Sequence, residues 1–209
     1  MCNPAMERVS LKNKRHDFDT LSTETSIEVR PPHSSEIAVV AAMATRMVPG
    51  VQIGEQALRR HFDFDPECIL TFRWKEKLLG GMAFLFLNGR GLDALIAGQM
   101  QPSKPDFELF ARSDEQVAAI YIWAIGTTGR GIAGLGKAAA HLRKPRLVNA
   151  DCFAQPSTAA GRELMIATGF TQMPSFQHDL WCYQRPWKRL PTSEPTLNSS
   201  ARSLEDARD

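Results

Sequence analysis

Cysteine is sparse in this chain and unpaired. Cys2, Cys68, Cys152 and Cys182 stand far apart and make no C-x-x-C pair, which argues against a disulfide framework or a zinc site and suits a reducing cytoplasm. An excess of one charge is also lacking. The formal net charge is +2 over 209 residues, so nothing in the composition calls for nucleic acid or an anionic membrane as partner. No apolar run approaches the roughly 18 residues of a membrane helix, and the first residues, MCNPAMERVSLKNKRHDFD, are too polar for a secretory signal. No internal repeat is present. A cytoplasmic location is the expectation.

What is present is an ordinary globular core composition, 43% hydrophobic, enough for one domain. Residues 1–25 are polar and without periodicity and are expected to form a flexible arm. Residues 190–209, rich in Ser, Pro, Glu and Arg, are expected to be a disordered tail. The folded domain is then 26–189.

Within it, Ser26–Arg30 alternates as a short strand before Pro31-Pro32. Ser34 or Ser35 can cap a helix whose apolar residues, Ile37, Val40, Ala41, Ala44 and Val48, recur at helical spacing up to Pro49-Gly50. A second helix covers Gly54–Phe62. Cys68–Trp74 and Leu78–Leu87 form an antiparallel hairpin around Lys75-Glu76-Lys77. Asn88–Gln116 is a long connection with a helical turn at Leu92–Ala97, and connections of this length are usually functional or mobile. Its Phe107, Leu109 and Phe110 are apolar and either pack on the sheet or line a pocket. A strand at Val117–Ile125, a helix at Gly131–Arg143, a strand at Arg146–Phe153, a helix at Ala159–Thr168 and two short strands, Phe170–Met173 and Asp179–Gln184, complete the domain.

The stretch Ala118–Lys137, AAIYIWAIGTTGRGIAGLGK, passes from an apolar strand through a glycine-rich loop into a helix. Glycines let a backbone approach a pyrophosphate, and the helix start offers free N–H groups to the anion. Three readings compete. Gly129-x-Gly131-x-x-Gly134, with Asp151 further on, is a literal dinucleotide fingerprint, yet the chain lacks the parallel βα units such a domain needs. Gly131-x-x-x-x-Gly136-Lys137 has P-loop spacing, but Ala138 stands where a Ser or Thr should hold magnesium. Packing is a further reading, in which Gly134 and Gly136 simply let a helix lie close to a sheet.

In the third reading, Arg130-Gly131 and Ala133-Gly134-Leu135-Gly136 resemble the acyl-CoA loop of the GNAT acyltransferase superfamily, with Ile132 as one extra residue and Ile125 closing the strand before it. Thr158-x-x-Gly161-x-x-Leu164-Met165-x-x-x-Gly169-Phe170 resembles a second motif of that superfamily. The order β-α-α-β-β-β-α-β-α-β-β is also similar, so the resemblance spans Ser26 to Pro186.

The resemblance implies an α/β fold with a mixed, mostly antiparallel central sheet and flanking helices. It implies transfer of an acetyl or other acyl group from acyl-CoA to an amine acceptor by direct attack, with acetyl-CoA or another acyl-CoA as co-substrate and no metal. Backbone N–H groups at Trp123, Ala124 and Ile125 would polarise the acyl carbonyl, and Arg130, Gly131, Ala133, Gly134, Gly136 and Lys137 would hold the pyrophosphate. The helix position often held by a catalytic Tyr is Met165, and no carboxylate lies between Val117 and Ile125. The catalytic candidates are therefore Tyr121, Asp151 near the end of its strand, and Ser157, which doubles as a helix cap. Cys152 reads as a thiol or a small core residue, and His178-Asp179 as a base pair on opposite strand faces. A homodimer is compatible with this reading. A non-catalytic GNAT-like binding protein and a nicotinamide-dependent oxidoreductase stand as alternatives.

Overall fold

The computed structural model describes residues 26–50 and 53–186, so the expected arm and the expected tail lie outside the described residues. The elements are β1 (Glu28–Arg30), α1 (Ile37–Met47), α2 (Glu55–Phe64), β2 (Ile69–Trp74), β3 (Lys77–Leu87), α3 (Gly89–Ile96), β4 (Ala119–Thr127), α4 (Gly134–His141), β5 (Asp151–Ala154), α5 (Ala159–Ala167), β6 (Thr171–Gln172) and β7 (Trp181–Tyr183). They build one seven-stranded sheet in the order β1-β2-β3-β4-β5-β7-β6. Only β4 and β5 pair in parallel; the other neighbours are antiparallel.

The antiparallel β2–β3 hairpin turns at Lys75, whose φ of 54° places it in the left-handed region. A doubly wound dinucleotide domain has no place for this hairpin, so the oxidoreductase reading is corrected here.

Strand register assigns the helices to faces. Phe72 pairs with Gly80, so the neighbouring Gly81 points to the other side. A Cβ on Gly134 would lie 2.6 Å from the Phe72 ring, whereas a Cβ on Gly81 would lie 3.6 Å from the Met43 methyl. The helix after the glycine loop and α1 therefore cover opposite faces. Phe72, Phe84, Ile120, Ile122, Cys152 and Ala154 join one cluster, and Leu85, Leu87, Tyr121, Phe153 and Leu180 join another with α3. Phe72 and Phe84 are fully buried, each contributing about 2–3 kcal/mol by removal from water.

The start of α1 is held electrostatically. Glu36 accepts the His33 N–H at 2.7 Å and pairs with Arg30 at 3.0 Å and Arg73 at 2.8 Å. These contacts fasten the helix to β1 and β2. The turn begins at Ser34, so His33 occupies the cap position expected for Ser34 or Ser35.

The long connection after β3 is ordered by Asn88. Its side-chain oxygen accepts the Gly91 N–H at 2.9 Å and caps α3, while its side-chain nitrogen donates to the Glu108 carbonyl at 2.9 Å. Phe107 and Phe110 then pack edge to face, 5.4 Å apart, beside Phe64 and His61. The expected helical turn is a full helix, and the apolar residues pack.

Two expectations are corrected. The strand expected at Arg146–Phe153 begins only at Asp151. Arg146 instead ties the preceding turn to the α2–β2 corner, donating to Asp65 at 2.7 Å and to the Ala111 and Arg112 carbonyls at 3.0 and 2.9 Å. The cap of α5 is Thr158, whose hydroxyl accepts the Gly161 N–H at 3.0 Å; Ser157 precedes it, exposed.

Candidate functional site

The parallel pair β4–β5 is brief. Its last partners are Ile122 and Ala154, where β5 ends, while β4 runs on to Thr127 still paired with β3. Among the described residues no strand pairs with the other edge of β4 beyond Ile122, so its backbone groups there are available to something else.

At the point of divergence β4 carries a bulge. Ala83 pairs with Ala124 and Phe84 with Ile122, leaving Trp123 as the extra residue. A bulge bends its strand and re-aims the groups beside it. The N–H groups of Trp123, Ala124 and Ile125 thus lie where β4 parts from β5.

At its far end β4 enters the glycine loop. Residues Gly129–Ala133 form a tight 3-10 turn that continues into α4, with Gly129 at φ +52°. The turn absorbs Ile132, whose side chain is exposed. A 3-10 turn closes i→i+3 bonds, and the Gly131 N–H donates to Thr128 at 3.0 Å while the Gly134 N–H donates to Gly131 and Ile132. The amides of Gly129 and Arg130 precede the first closed ring and remain for an outside acceptor.

The glycines of this loop have different jobs. A Cβ on Gly131 would fall 2.3 Å from Thr127 Oγ1, and one on Gly134 would enter the Phe72 ring; Gly136 faces open space. Close packing thus accounts for the first two. Beside them, Thr127 Oγ1 and Trp74 Nε1 are buried without a hydrogen-bond partner, unmet polar capacity of a kind native interiors rarely leave. The Arg130 guanidinium lies 4.5 Å from the Trp74 ring centroid with its charge exposed. Lys137 is turned away, its ammonium donating to the Ile27 carbonyl. Ala133 is exposed.

The candidate catalytic side chains are not brought together. Tyr121 is buried one residue before the divergence, its hydroxyl donating to Gln155 Oε1 at 2.6 Å. Burial pushes its pKa up to about 12, so it stays protonated at neutral pH. Asp151 opens β5 instead of ending it, about 10 Å along the strand from the divergence, and accepts the Arg185 N–H at 3.0 Å. Its expected position is corrected because the strand is shorter than its apolar pattern. Ser157 lies on the β5–α5 loop. Cys152 is a buried core thiol with its pKa raised to about 11 by desolvation. Asp179 anchors α5 to β7, accepting from Arg162 at 2.6 Å and from the Trp181 indole at 2.9 Å. Met165 is a core residue.

One feature escaped sequence reasoning. Under α1, beside the bulge, lies a small apolar cavity of about 30 Å³, partly open to solvent. Its signal in the sequence was the run of small residues, Gly81 and Ala83 on one strand and Ala124 and Gly126 on the next.

No protein-family model matches the chain, and no curated protein matches it in sequence. Solved structures do match in three dimensions. The loading GNATL domain of CurA from Lyngbya majuscula superposes with a TM-score of 0.58 at 12% identity, over 77% of this chain and 98% of that domain. Diaminobutyrate acetyltransferase EctA from Paenibacillus lautus gives 0.49 at 12% identity, over 77% and 96% of the two chains. At such identities the likeness is one of fold. The seven-stranded, mostly antiparallel open sheet with flanking helices is a GNAT-like fold, as in the GNATL domain.

Proposed function

We propose that this chain is an acyltransferase that passes an acyl group from acyl-CoA to an amine. The observation that carries the reading is the parting of β4 from β5 at Ile122 and Ala154, with the Trp123 bulge at the parting and the glycine loop at the strand's end. A pantetheine arm fits the gap between the strands, and its amide groups can pair with the free edge of β4. The pyrophosphate then meets the amides of Gly129 and Arg130 and the Arg130 guanidinium. The thioester carbonyl lies against the N–H groups of Trp123–Ile125, which stabilise the oxyanion.

The reaction is direct. A neutral amine attacks the thioester carbon and forms the C–N bond, the tetrahedral intermediate collapses as the C–S bond breaks, and the proton shed by the nitrogen passes to the departing thiolate of CoA. Tyr121 holds a proton at neutral pH and stands nearest the divergence among the three candidates. Asp151 and Ser157 would act at a distance, on the acceptor. Positioning supplies much of the rate in such a site.

A second reading, acyl-CoA binding without turnover, is favoured by the buried Met165 and by the lack of titratable side chains around the α1 cavity. Two measurements test the pair. Coenzyme A at millimolar concentration should raise the melting temperature by several degrees; no shift sinks both readings. Sustained thiol release from acyl-CoA across a panel of amines supports transfer, and binding with no release supports the second.

A further inference from the structure

The end of β5 carries a small polar cluster around Gln155. This residue is the first past the parallel ladder, whose last pairs are Tyr121 with Phe153 and Ile122 with Ala154. Its Oε1 accepts the Tyr121 hydroxyl at 2.6 Å and the Gln177 side-chain amide at 2.8 Å. Its Nε2 donates to the His178 carbonyl. The Tyr121 side chain therefore leans past its own strand partner towards the parting of β4 from β5. Trp123, the bulge residue, packs against the apolar cluster that holds Tyr121.

Hydrogen-bonding capacity fixes the direction of each bond. A backbone carbonyl only accepts, so the Gln155 NH2 faces His178 and its Oε1 faces Tyr121. An amide oxygen cannot donate, so the phenol is the donor. The loop that supplies Gln177 and His178 is itself tied down. The Phe176 N–H donates to the Ile96 carbonyl at 2.9 Å, and the Ser175 hydroxyl donates to the Gln177 carbonyl at 2.8 Å. The Gln155 amide cannot turn over without losing its bonds to Tyr121, Gln177 and His178. A phenol has one hydrogen and two lone pairs. With its hydrogen engaged, Tyr121 offers lone pairs to whatever lies at the parting, and burial keeps that hydrogen in place at neutral pH.

We infer that Gln155 is a positioning residue for acyl transfer: by engaging the Tyr121 hydrogen it makes the phenol oxygen an acceptor, and that oxygen receives an N–H of the substrate amine. The inference rests on the acyltransferase reading and adds how the amine is held. A nitrogen that rests one hydrogen on Tyr121 keeps its own lone pair free to turn towards the thioester carbon. Tyr121 orients the nucleophile and takes no proton from it, since the phenol oxygen retains its own. The proton shed by the nitrogen goes to the departing thiolate.

The chain has two tyrosines, Tyr121 and Tyr183, so the full chain labelled with carbon-13 at the tyrosine Cζ gives two resonances, and Tyr121→Phe assigns them. Saturated with coenzyme A and titrated with propylamine, putrescine or glycinamide, the Tyr121 resonance should shift saturably with at least one amine while that of Tyr183 stays still. Gln155→Leu should raise the half-saturation about tenfold, the loss of one hydrogen bond. Gln155→Glu, which keeps an oxygen facing Tyr121, should restore it to within about threefold. In turnover with acetyl-CoA, Gln155→Leu should raise the KM of the amine about tenfold and leave the KM of acetyl-CoA within about twofold, a split that a purely structural role would not produce. Should Gln155→Leu fail to fold by circular dichroism, Gln155→Met, of similar length and without the amide, takes its place. Thiol release with a Tyr121 resonance that no amine moves, with variants that match the wild type, or with no rescue by Gln155→Glu overturns the inference alone. Failure of coenzyme A to bind, or of any amine to release thiol, overturns the transfer reading and the inference with it.

Discussion

Ala83 faces Ala124 across β3 and β4, and the next pair along is Phe84 with Ile122, so Trp123 is the one residue of that ladder with no partner. Everything beyond it is shifted by one. Ala124 and Gly126 point towards α1 because the ladder takes up Trp123 as a bulge; were Trp123 paired as an ordinary strand residue, Ile125 would take their face.

Deleting Trp123 closes the bulge and leaves the pairs Ala83–Ala124 and Phe84–Ile122 in register, so this variant is expected to melt cooperatively but to bind coenzyme A weakly, the amides beside the divergence having lost the aim the bulge gives them. Trp123→Leu, which keeps the count of residues, should still melt cooperatively at a cost of about 1–3 kcal/mol. Denaturant unfolding and coenzyme A titration of the two variants measure the difference, and equal binding would show that the bulge does not aim the site.

The loop glycines should separate by stability. Gly134→Ala pushes a methyl group into the Phe72 ring and should cost about 1–3 kcal/mol. Gly136→Ala enters open space in a helix and should gain about 0.5–1 kcal/mol. Thermal melts decide the order of the two.

Arg130 is expected to meet the pyrophosphate. Arg130→Ala should weaken coenzyme A binding about tenfold, the loss of one charge-assisted contact, and should flatten its dependence on salt. Dephospho and full coenzyme A titrated at two ionic strengths measure both. An unchanged Kd would assign Arg130 only to its stacking on Trp74.

Acid should destabilise the fold in two windows. His61 is buried, its Nε2 2.7 Å from the Pro102 carbonyl and its ring stacked 5.7 Å from Phe110. Burial lowers its pKa below 6.5, so the unfolded chain takes the proton first and stability is lost as pH falls below about 6.5. His141 is lowered as well, first by desolvation. Glu36 is held down to about 2, first by its hydrogen bond to Arg30, so its contribution is present above the ordinary 4.5 and is lost as pH falls towards 2. Urea midpoints followed from pH 7.5 to 3 should slope throughout. His61→Phe should flatten the upper window, with the remainder due to His141, and Glu36→Gln the lower.

Much of the architecture was legible because it is local. The alternation in Ser26–Arg30, the helical spacing from Ile37 to Val48 and the polar turn at Lys75-Glu76-Lys77 each depend on near neighbours only. The site was legible in part. Ile125, Arg130 and the glycines could be proposed because a strand, a loop and a helix follow one another in the chain. Tyr121, Asp151 and Ser157 were chosen for their chemistry, and their separation depends on where β5 starts and on which hydroxyl caps α5. Those are outcomes of competition: Arg146 binds Asp65 and two carbonyls in place of entering a strand, and Thr158 takes the cap ahead of Ser157.

The sequence by itself determined the order of the elements, the hairpin, and the glycine loop after the most apolar strand, because periodicity and turn chemistry act within a few residues. Tertiary structure decided the rest. The bulge at Trp123 is visible only when β3 is laid beside β4, and the parting of β4 from β5 only when the length of each strand is known. The cavity exists because two pairs of small residues, Gly81 with Ala83 and Ala124 with Gly126, separated by more than 40 positions in the chain, are brought side by side beneath one helix. A void is a property of packing between segments, and no single segment contains it.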